Sequence, residues 1–320
     1  MRSQSVSVIV ISLNEGEYLQ RTVDSLRPTL PPGGEVIVVD DGSTDGSTDF
    51  LRPFRAPISR MRKSAAHRTR VRPAVHTTLL RPAERLGVAR ARNFGAHHAH
   101  NDVVVFSDGH VEVPMGWYGP LVVELNNPKV GAVAPGISIM QPAPVASTGY
   151  GLKWKDATLD NAWLGRQGND AHPVPLLGGG FIAMRRDTFD AIGGFDSGMV
   201  IWGAEDSELC VRLWTLGYEC LVVPAVDVAH RFRPQHPYRV AWEEVIHNKL
   251  RLAALHFGPE RMSRVAGRLR QNAVFAAAST RLASSDVQAR RSELDALRVQ
   301  DDDWFFSRFS RELQSELSAS

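Results

Sequence analysis

Three short apolar stretches, two of them closing on carboxylates, constrain this chain more than any other feature. Residues 5–12 read SVSVIVIS, residues 35–41 read EVIVVDD and residues 103–108 read VVVFSD. Runs so short and so rich in β-branched residues suit strands buried on both faces. Between the first two lies a helical pattern. Asn14-Glu15-Gly16-Glu17 opens it, Leu19, Val23 and Leu26 space its apolar side, and Pro28 with PPGG at 31–34 ends it. Strand, helix, strand in this order predicts an α/β fold with a mostly parallel central sheet flanked by helices.

Further along, HTTLL at 76–80 reads as a third strand, GVARARNFGAHHAH as a helix and NDVVVFSD as the fourth strand. A helix over 117–126 and a strand near 130–134 follow, then a long connection rich in Pro and Gly. Strands at Phe181–Met184 and Glu219–Val223 flank a helix from Glu205 to Leu216, and from Ala241 onward the pattern is helical. The expected organisation is an α/β catalytic domain over 1–240 and a helical region over 241–320.

At 320 residues and 43% hydrophobic, the chain can bury a sizeable core. Its apolar runs fall short of the roughly 18 residues a membrane-spanning helix needs. The lead MRSQSVSVIVIS shows no small-residue cleavage site, so a cytoplasmic protein is expected. Cys210 and Cys220 sit within apolar patterns and predict buried thiols rather than a disulfide framework or a zinc site. Between Arg52 and Arg92 twelve Lys or Arg stand against the single acid Glu84. That stretch reads as a surface for an anion or, up to about Arg72, as a solvated loop. It lacks interleaved aromatics, so no nucleic-acid partner is expected.

In an open, mostly parallel sheet, ligands bind outside the carboxyl ends of the strands. Asp40-Asp41-Gly42-Ser43 stands at one such end, although a turn and helix cap would use the same residues. Asp108-Gly109-His110 stands at another, offering a hard oxygen and an imidazole nitrogen from one tight turn, a donor pair suited to a manganese-like ion. Glu205 and Asp206 open a helix, where acids also complement the dipole. His230 follows a strand, with Arg231 and Arg233 close by, as a candidate third ligand beside candidate phosphate-binding arginines. His97-His98-x-His100 lacks an acidic partner at helical spacing and reads as surface.

In register, VSVIVISLNEGEYLQRTVDSL, EVIVVDDGSTDGS, RLGVARARNFGA, DVVVFSDGHVEVPMGW, LLGGGFIAMRRDTFDAIGGFDSGM, IWGAEDSELCVRLW and AHRFRPQHPY resemble the GT-A fold nucleotide-sugar glycosyltransferases of family 2. The similarity is greatest to the polypeptide N-acetylgalactosaminyltransferases. The resemblance implies that Asp108, His110 and His230 bind Mn2+ (or Mg2+) and that Asp40 or Asp41 contacts the uracil or ribose of a UDP-sugar. It places Arg85 and Arg92, together with Asn14, Glu15 and Ser107, at the nucleotide-sugar. Arg233 and Tyr238 would assist the leaving group, Gly178, Gly179 and Gly180 would let the backbone approach the sugar, and Trp202 to Asp206 would close over donor and acceptor.

Two departures from that family matter. The residue after the loop glutamate is commonly an amide in the polypeptide transferases, which retain anomeric configuration. Here it is Asp206, and Glu205-Asp206 is the pattern of inverting family 2 enzymes, so inversion with Asp206 as general base is expected. In place of a C-terminal lectin domain stand helices whose apolar spacing fits packing on the catalytic core or on a second subunit, a homodimer. The processive-synthase motif Q-x-x-R-W is absent from the sequence. A peptide or peptide-derived acceptor is expected, reacting through a hydroxyl or thiol. The alternatives are the same fold acting on a lipid, glycan or small metabolite, and a non-catalytic protein that binds nucleotide-sugar or nucleic acid.

Overall fold

The β-branched runs form strands whose alternate side chains fill two separate cores. In the computed structural model, residues 5–51, 75–143, 147–233, 235, 237–313 and 317 are described; the basic stretch from Arg52 to Arg72 lies outside them. The first half comprises β1 (Val6–Ser12), α1 (Glu17–Leu26), β2 (Glu35–Asp40), β3 (His76–Leu80), α2 (Val88–His97), β4 (Val103–Asp108), β5 (Val111–Glu112), α3 (Tyr118–Leu125) and β6 (Val130–Ile139). Then come β7 (Thr148–Gly149), β8 (Leu152–Trp154), β9 (Asn161–Trp163), β10 (His172–Pro173), β11 (Phe181–Arg185), α4 (Arg186–Ala191), α5 (Glu205–Thr215) and β12 (Glu219–His230). The chain continues with α6 (Trp242–His256), α7 (Pro259–Leu269), α8 (Phe275–Ala283), α9 (Val287–Leu297) and α10 (Asp302–Arg308).

Val6, Val8 and Val10 face the side covered by α1 and α3, while Ile9 faces α2 and α5, as the two-residue period of a strand requires. Helix α1 turns Leu19, Val23 and Leu26 inward and stops before Pro28, which cannot donate to the preceding turn. The sheet order is β10-β12-β6-β11-β4-β1-β2-β3. Strands β4, β1, β2 and β3 are parallel neighbours, and β12 is parallel to β6. Strand β11 runs antiparallel to both β4 and β6, so the expected parallel sheet is mixed in its other half.

Register sets the site. Ser12 pairs with Asp40 and Ile11 with Asp108, so the carboxylate-bearing ends of β2 and β4 lie level on either side of β1. Strand β12 does not end at Val223, as its apolar run suggested; it shifts register between Val223 and Asp227, around Pro224, and continues to His230. A bulge is where a strand tolerates proline. Its last residues pair with β5, His230 opposite Val111, which carries an imidazole from the far side of the sequence to the Asp108-Gly109-His110 turn.

The C-terminal helices are built into the core around Trp154 and Trp214. Leu250, Leu252 and Ala253 of α6, with Phe305, Phe306, Phe309, Leu313 and Leu317, share one apolar cluster with Ile9 and Phe106. Those apolar residues are therefore covered within the chain and not presented to a second subunit. Arg251 of α6 is fully buried and grips Asp196 through two bonds of 2.6 and 2.9 Å. Cys210 and Cys220 are free and buried, whereas His97, His98 and His100 are exposed. No helix of the described residues is long and apolar enough to cross a membrane.

Glu208 of α5 ties the two regions together at zero exposure. It receives both Nε and Nη2 of Arg212 at 2.9 Å and faces His256 Nε2 at 2.9 Å. Burial alone would raise Glu208, but the Arg212 guanidinium and the imidazole hold it down to about 2, while burial holds His256 below its ordinary 6.5. Both groups take up protons more readily when unfolded, so stability falls with acid, first as pH drops through 6.5 and further below 4.5. Glu208→Gln leaves a buried guanidinium without its counter-charge and is expected to cost about 3–5 kcal/mol in urea unfolding at pH 7.5. A change below about 1 kcal/mol would mean that Arg212 finds compensation elsewhere.

Candidate active site

A cavity of about 390 Å³ opens where β1, β2 and β4 end. One wall carries Asp108, His110 and His230, whose donor atoms all lie within 4.8 Å of one another. Asp108 Oδ2 is 3.3 Å from His230 Nε2 and 4.0 Å from His110 Nε2. Burial opposes ionisation of Asp108, yet His230, His110 and Arg92 outweigh it and hold the carboxyl well below its usual range. Glu15 Oε2 faces His110 Nδ1 at 3.0 Å. A carboxylate there keeps the proton on Nδ1 and turns the Nε2 lone pair towards Asp108.

One oxygen and two imidazole nitrogens, with an orienting carboxylate behind, fit a divalent cation of the manganese kind. Gly180 gives these donors their space. A Cβ there would stand 2.9 Å from His230 Cδ2 and 3.5 Å from Asp108 Oδ2. Gly180→Ala is expected to weaken Mn2+ binding by about 10- to 100-fold in calorimetric titration. An unchanged affinity would show that His230 and Asp108 do not need this space to hold a cation.

Across Gly179 and Gly180 sits the second centre. Asp206, half-buried in the first turn of α5, accepts from Gly179 N at 3.1 Å and Ser207 N at 2.7 Å. Glu205 is more deeply set and bonds Gly203 N at 2.9 Å and Arg92 Nη1 at 3.4 Å. Burial raises both carboxyls, and with Asp206 beside it Glu205 rises to about 7. Both carboxylates line the cavity with Trp202, and Asp206 is the more exposed of the pair.

Arg92, expected at the nucleotide, lines the cavity and braces its wall. Its guanidinium, 2% exposed, bridges Asp108 and Glu205 and donates to Gly179 O at 2.6 Å. It thus holds the cation ligand and the loop carboxylate at a set separation. Glu15 likewise lines the cavity but is occupied by His110 and by Arg233 Nη2, 2.5 Å away. Arg85 lies across the Tyr238 ring at 5.2 Å, and burial, then Asp108, Glu15 and Glu205, push the Tyr238 hydroxyl upward.

Asp40 and Asp41 point opposite ways, as successive residues leaving a strand do. Asp41 lines the cavity and accepts from Leu86 N at 2.6 Å and Gly87 N at 2.9 Å. Asp40 faces away and bonds Arg81 Nε at 2.9 Å and Ser43 N at 2.8 Å. Two further residues expected at the nucleotide also stand off the wall. Asn14, at φ 55°, accepts from Thr44 N at 2.8 Å and ties the exit of β1 to the loop after β2. Ser107 is fully buried because β4 presents its neighbour Asp108 to the cavity, and its hydroxyl donates to Asp108 O at 3.0 Å.

Two aromatic side chains at the mouth carried no expectation. Trp163 of β9 and Phe232 are 40% and 44% exposed, with ring centroids 6.0 Å apart. Phe232 alternates with the flagged His230, which was a signal. Trp163 lies in the Pro- and Gly-rich connection and reaches the site only because Gly149 and Gly178 leave room, a Cβ meeting the indole at 2.2 and 2.7 Å respectively.

Fold and site together define a protein of the GT-A fold class. Residues 7–193 match the model of glycosyl transferase family 2, and residues 171–237 match that of the N-terminal domain of galactosyltransferase. The chain belongs to glycosyl transferase family 2. It is 34% identical over 265 residues to polypeptide N-acetylgalactosaminyltransferase 11 of Xenopus tropicalis, covering 77% of this chain and 42% of that protein. It is 25% identical to probable N-acetylgalactosaminyltransferase 8 of Caenorhabditis elegans, covering 98% and 74%. The chain spans about two fifths of the first of these relatives. A crystal structure of GalNAc-T7 with UDP, GalNAc and Mn2+ shares the fold, with a TM-score of 0.74 at 20% identity over 96% of this chain and 57% of that one.

Proposed function

We propose that this protein is a metal-dependent glycosyltransferase that moves a sugar from a UDP-sugar to a hydroxyl or thiol of a peptide or peptide-derived acceptor, with inversion. One observation carries the reading: Asp108, His110 and His230 converge on one cavity wall while Asp206 stands across Gly179 and Gly180 from them. Mn2+ held by those three residues would neutralise charge on the departing diphosphate. The solved structure with UDP, GalNAc and Mn2+ supports the donor and the metal, and the polypeptide N-acetylgalactosaminyltransferase relatives support sugar transfer to a peptide.

The chain's own residues supply the rest. Asp41, Arg85, Arg233 and Tyr238 all line the cavity, where the first two would border the nucleotide and the last two would meet the leaving phosphate. The acceptor oxygen or sulfur attacks the anomeric carbon, its proton passes to Asp206, and the bond from that carbon to UDP breaks. Direct displacement by a group on the opposite face inverts the anomeric centre. Trp163 and Phe232 give the mouth an apolar face suited to a peptide. Incubation with a panel of UDP-sugars and Ser-, Thr- or Cys-containing peptides, with mass spectrometry of products, tests the reading. Absence of both sugar transfer and Mn2+-dependent UDP-sugar hydrolysis across the panel would overturn it.

A further inference from the structure

The loop before Glu205 is held in a conformation its residues disfavour. Ile201, Gly203 and Ala204 have φ of 45°, 103° and 67°. Only glycine adopts this region freely, and a β-branched side chain there is a true outlier. Backbone of this kind persists where its surroundings over-determine it, and such places cluster at active sites.

Two braces do so here. On one side the α2 end presses in: a Cβ on Gly87 would stand 2.5 Å from Ile201 Cα, and Val88 N donates to Ile201 O at 2.7 Å. On the other side stands Asn248 of α6, 1% exposed. Its Nδ2 is shared among the carbonyls of Val200, Gly203 and Trp202 at 2.8, 2.9 and 3.2 Å, and its Oδ1 accepts from Val200 N at 2.8 Å. The loop then feeds straight into the reacting end, since Gly203 N bonds Glu205 Oε2.

We propose that Asn248 is a positioning residue: by gripping the backbone of 200–203 from the C-terminal helical region, it sets Trp202 and the Glu205–Asp206 pair over the cavity. The proposal rests on the reading of Asp206 as the base. It also gives the helices after residue 241 a part in the chemistry beyond filling the core.

The test is Asn248→Asp, which keeps the side chain's shape and its acceptor for Val200 N but sets an oxygen against three carbonyls. Asn248→Ala serves as a second variant without that repulsion. A misplacement of about 1 Å at a reacting group costs about 10²-fold. The expected result in N248D is a kcat for transfer about 10²-fold lower, with the KM for donor and the calorimetric affinities for UDP and Mn2+ within about twofold. Hydrogen–deuterium exchange should rise in a peptide spanning 199–206 and not in β1 or β4. Near-normal kcat in both variants overturns the proposal. So does loss of UDP and Mn2+ binding along with transfer in both, which would mean that Asn248 holds the fold rather than the loop. Should the wild-type protein transfer no sugar, the functional reading fails by itself, and the exchange measurement still decides whether Asn248 braces the loop.

Discussion

Asp108→Ala is expected to remove Mn2+-dependent hydrolysis of the UDP-sugar and transfer to acceptor together, each by about 10³-fold or more. The size follows from losing several kcal/mol of charge stabilisation at the leaving diphosphate, each 1.36 kcal/mol being tenfold in rate. Asp108 is the member of the ligand set that both other ligands face, at 3.3 and 4.0 Å. Arg92 keeps Glu205 as a partner in the variant, so the fold should survive, as circular dichroism can verify. Mn2+ titration followed by electron paramagnetic resonance should show the loss directly. Retained tight binding would mean the three donors do not act as one site.

Asp206→Asn separates chemistry from binding. Transfer should fall by about 10²- to 10⁴-fold, the range for a general base, while UDP and Mn2+ affinities stay within about twofold. The amide oxygen can still accept from Gly179 N and Ser207 N, so the first turn of α5 keeps its shape. A base acts only when ionised, and burial raises this carboxyl above its ordinary 3.8. The wild-type rate at saturating Mn2+ should therefore decline as pH falls through that raised value, and this component of the decline should be absent from D206N. Nuclear magnetic resonance of the first-formed product should show inverted configuration. Retained configuration, or a D206N enzyme of near-normal rate, would remove Asp206 from the role of base.

Much of the fold was legible because its signals are local. The β-branched runs at 6–12, 35–40 and 103–108 each specify a strand covered on both faces, and the Leu19, Val23, Leu26 spacing specifies the helix between two of them. The direction of β11 was not legible, since an apolar strand pairs equally well either way and the choice depends on where the connection from β7 to β10 leads the chain. Length misled in β12, where Pro224 reads as an end and tertiary pairing turns it into a bulge.

The site divides along the same line. Asp108, His110, Glu205 and Asp206 are visible as acids and an imidazole where strands end and a helix begins, which is chemistry written within a few residues of sequence. Arg92 is singled out in the sequence by the family resemblance alone, and its place between Asp108 and Glu205 exists only once α2 packs on β1. The choice between Asp40 and Asp41 likewise waits for the pleat of β2 to be set by its neighbours.

By itself, the sequence determined which strands form, which residue types stand at their carboxyl ends, and that these suit a divalent cation. Tertiary structure decided that His230 meets Asp108 across a sequence separation of 122 and that Asn248, from a helix expected only to pack, holds the loop before Glu205. The physical reason is range: propensity and periodicity act over a few residues, whereas bringing ligands together from distant segments depends on strand register and core packing, which exist only when the whole chain is folded.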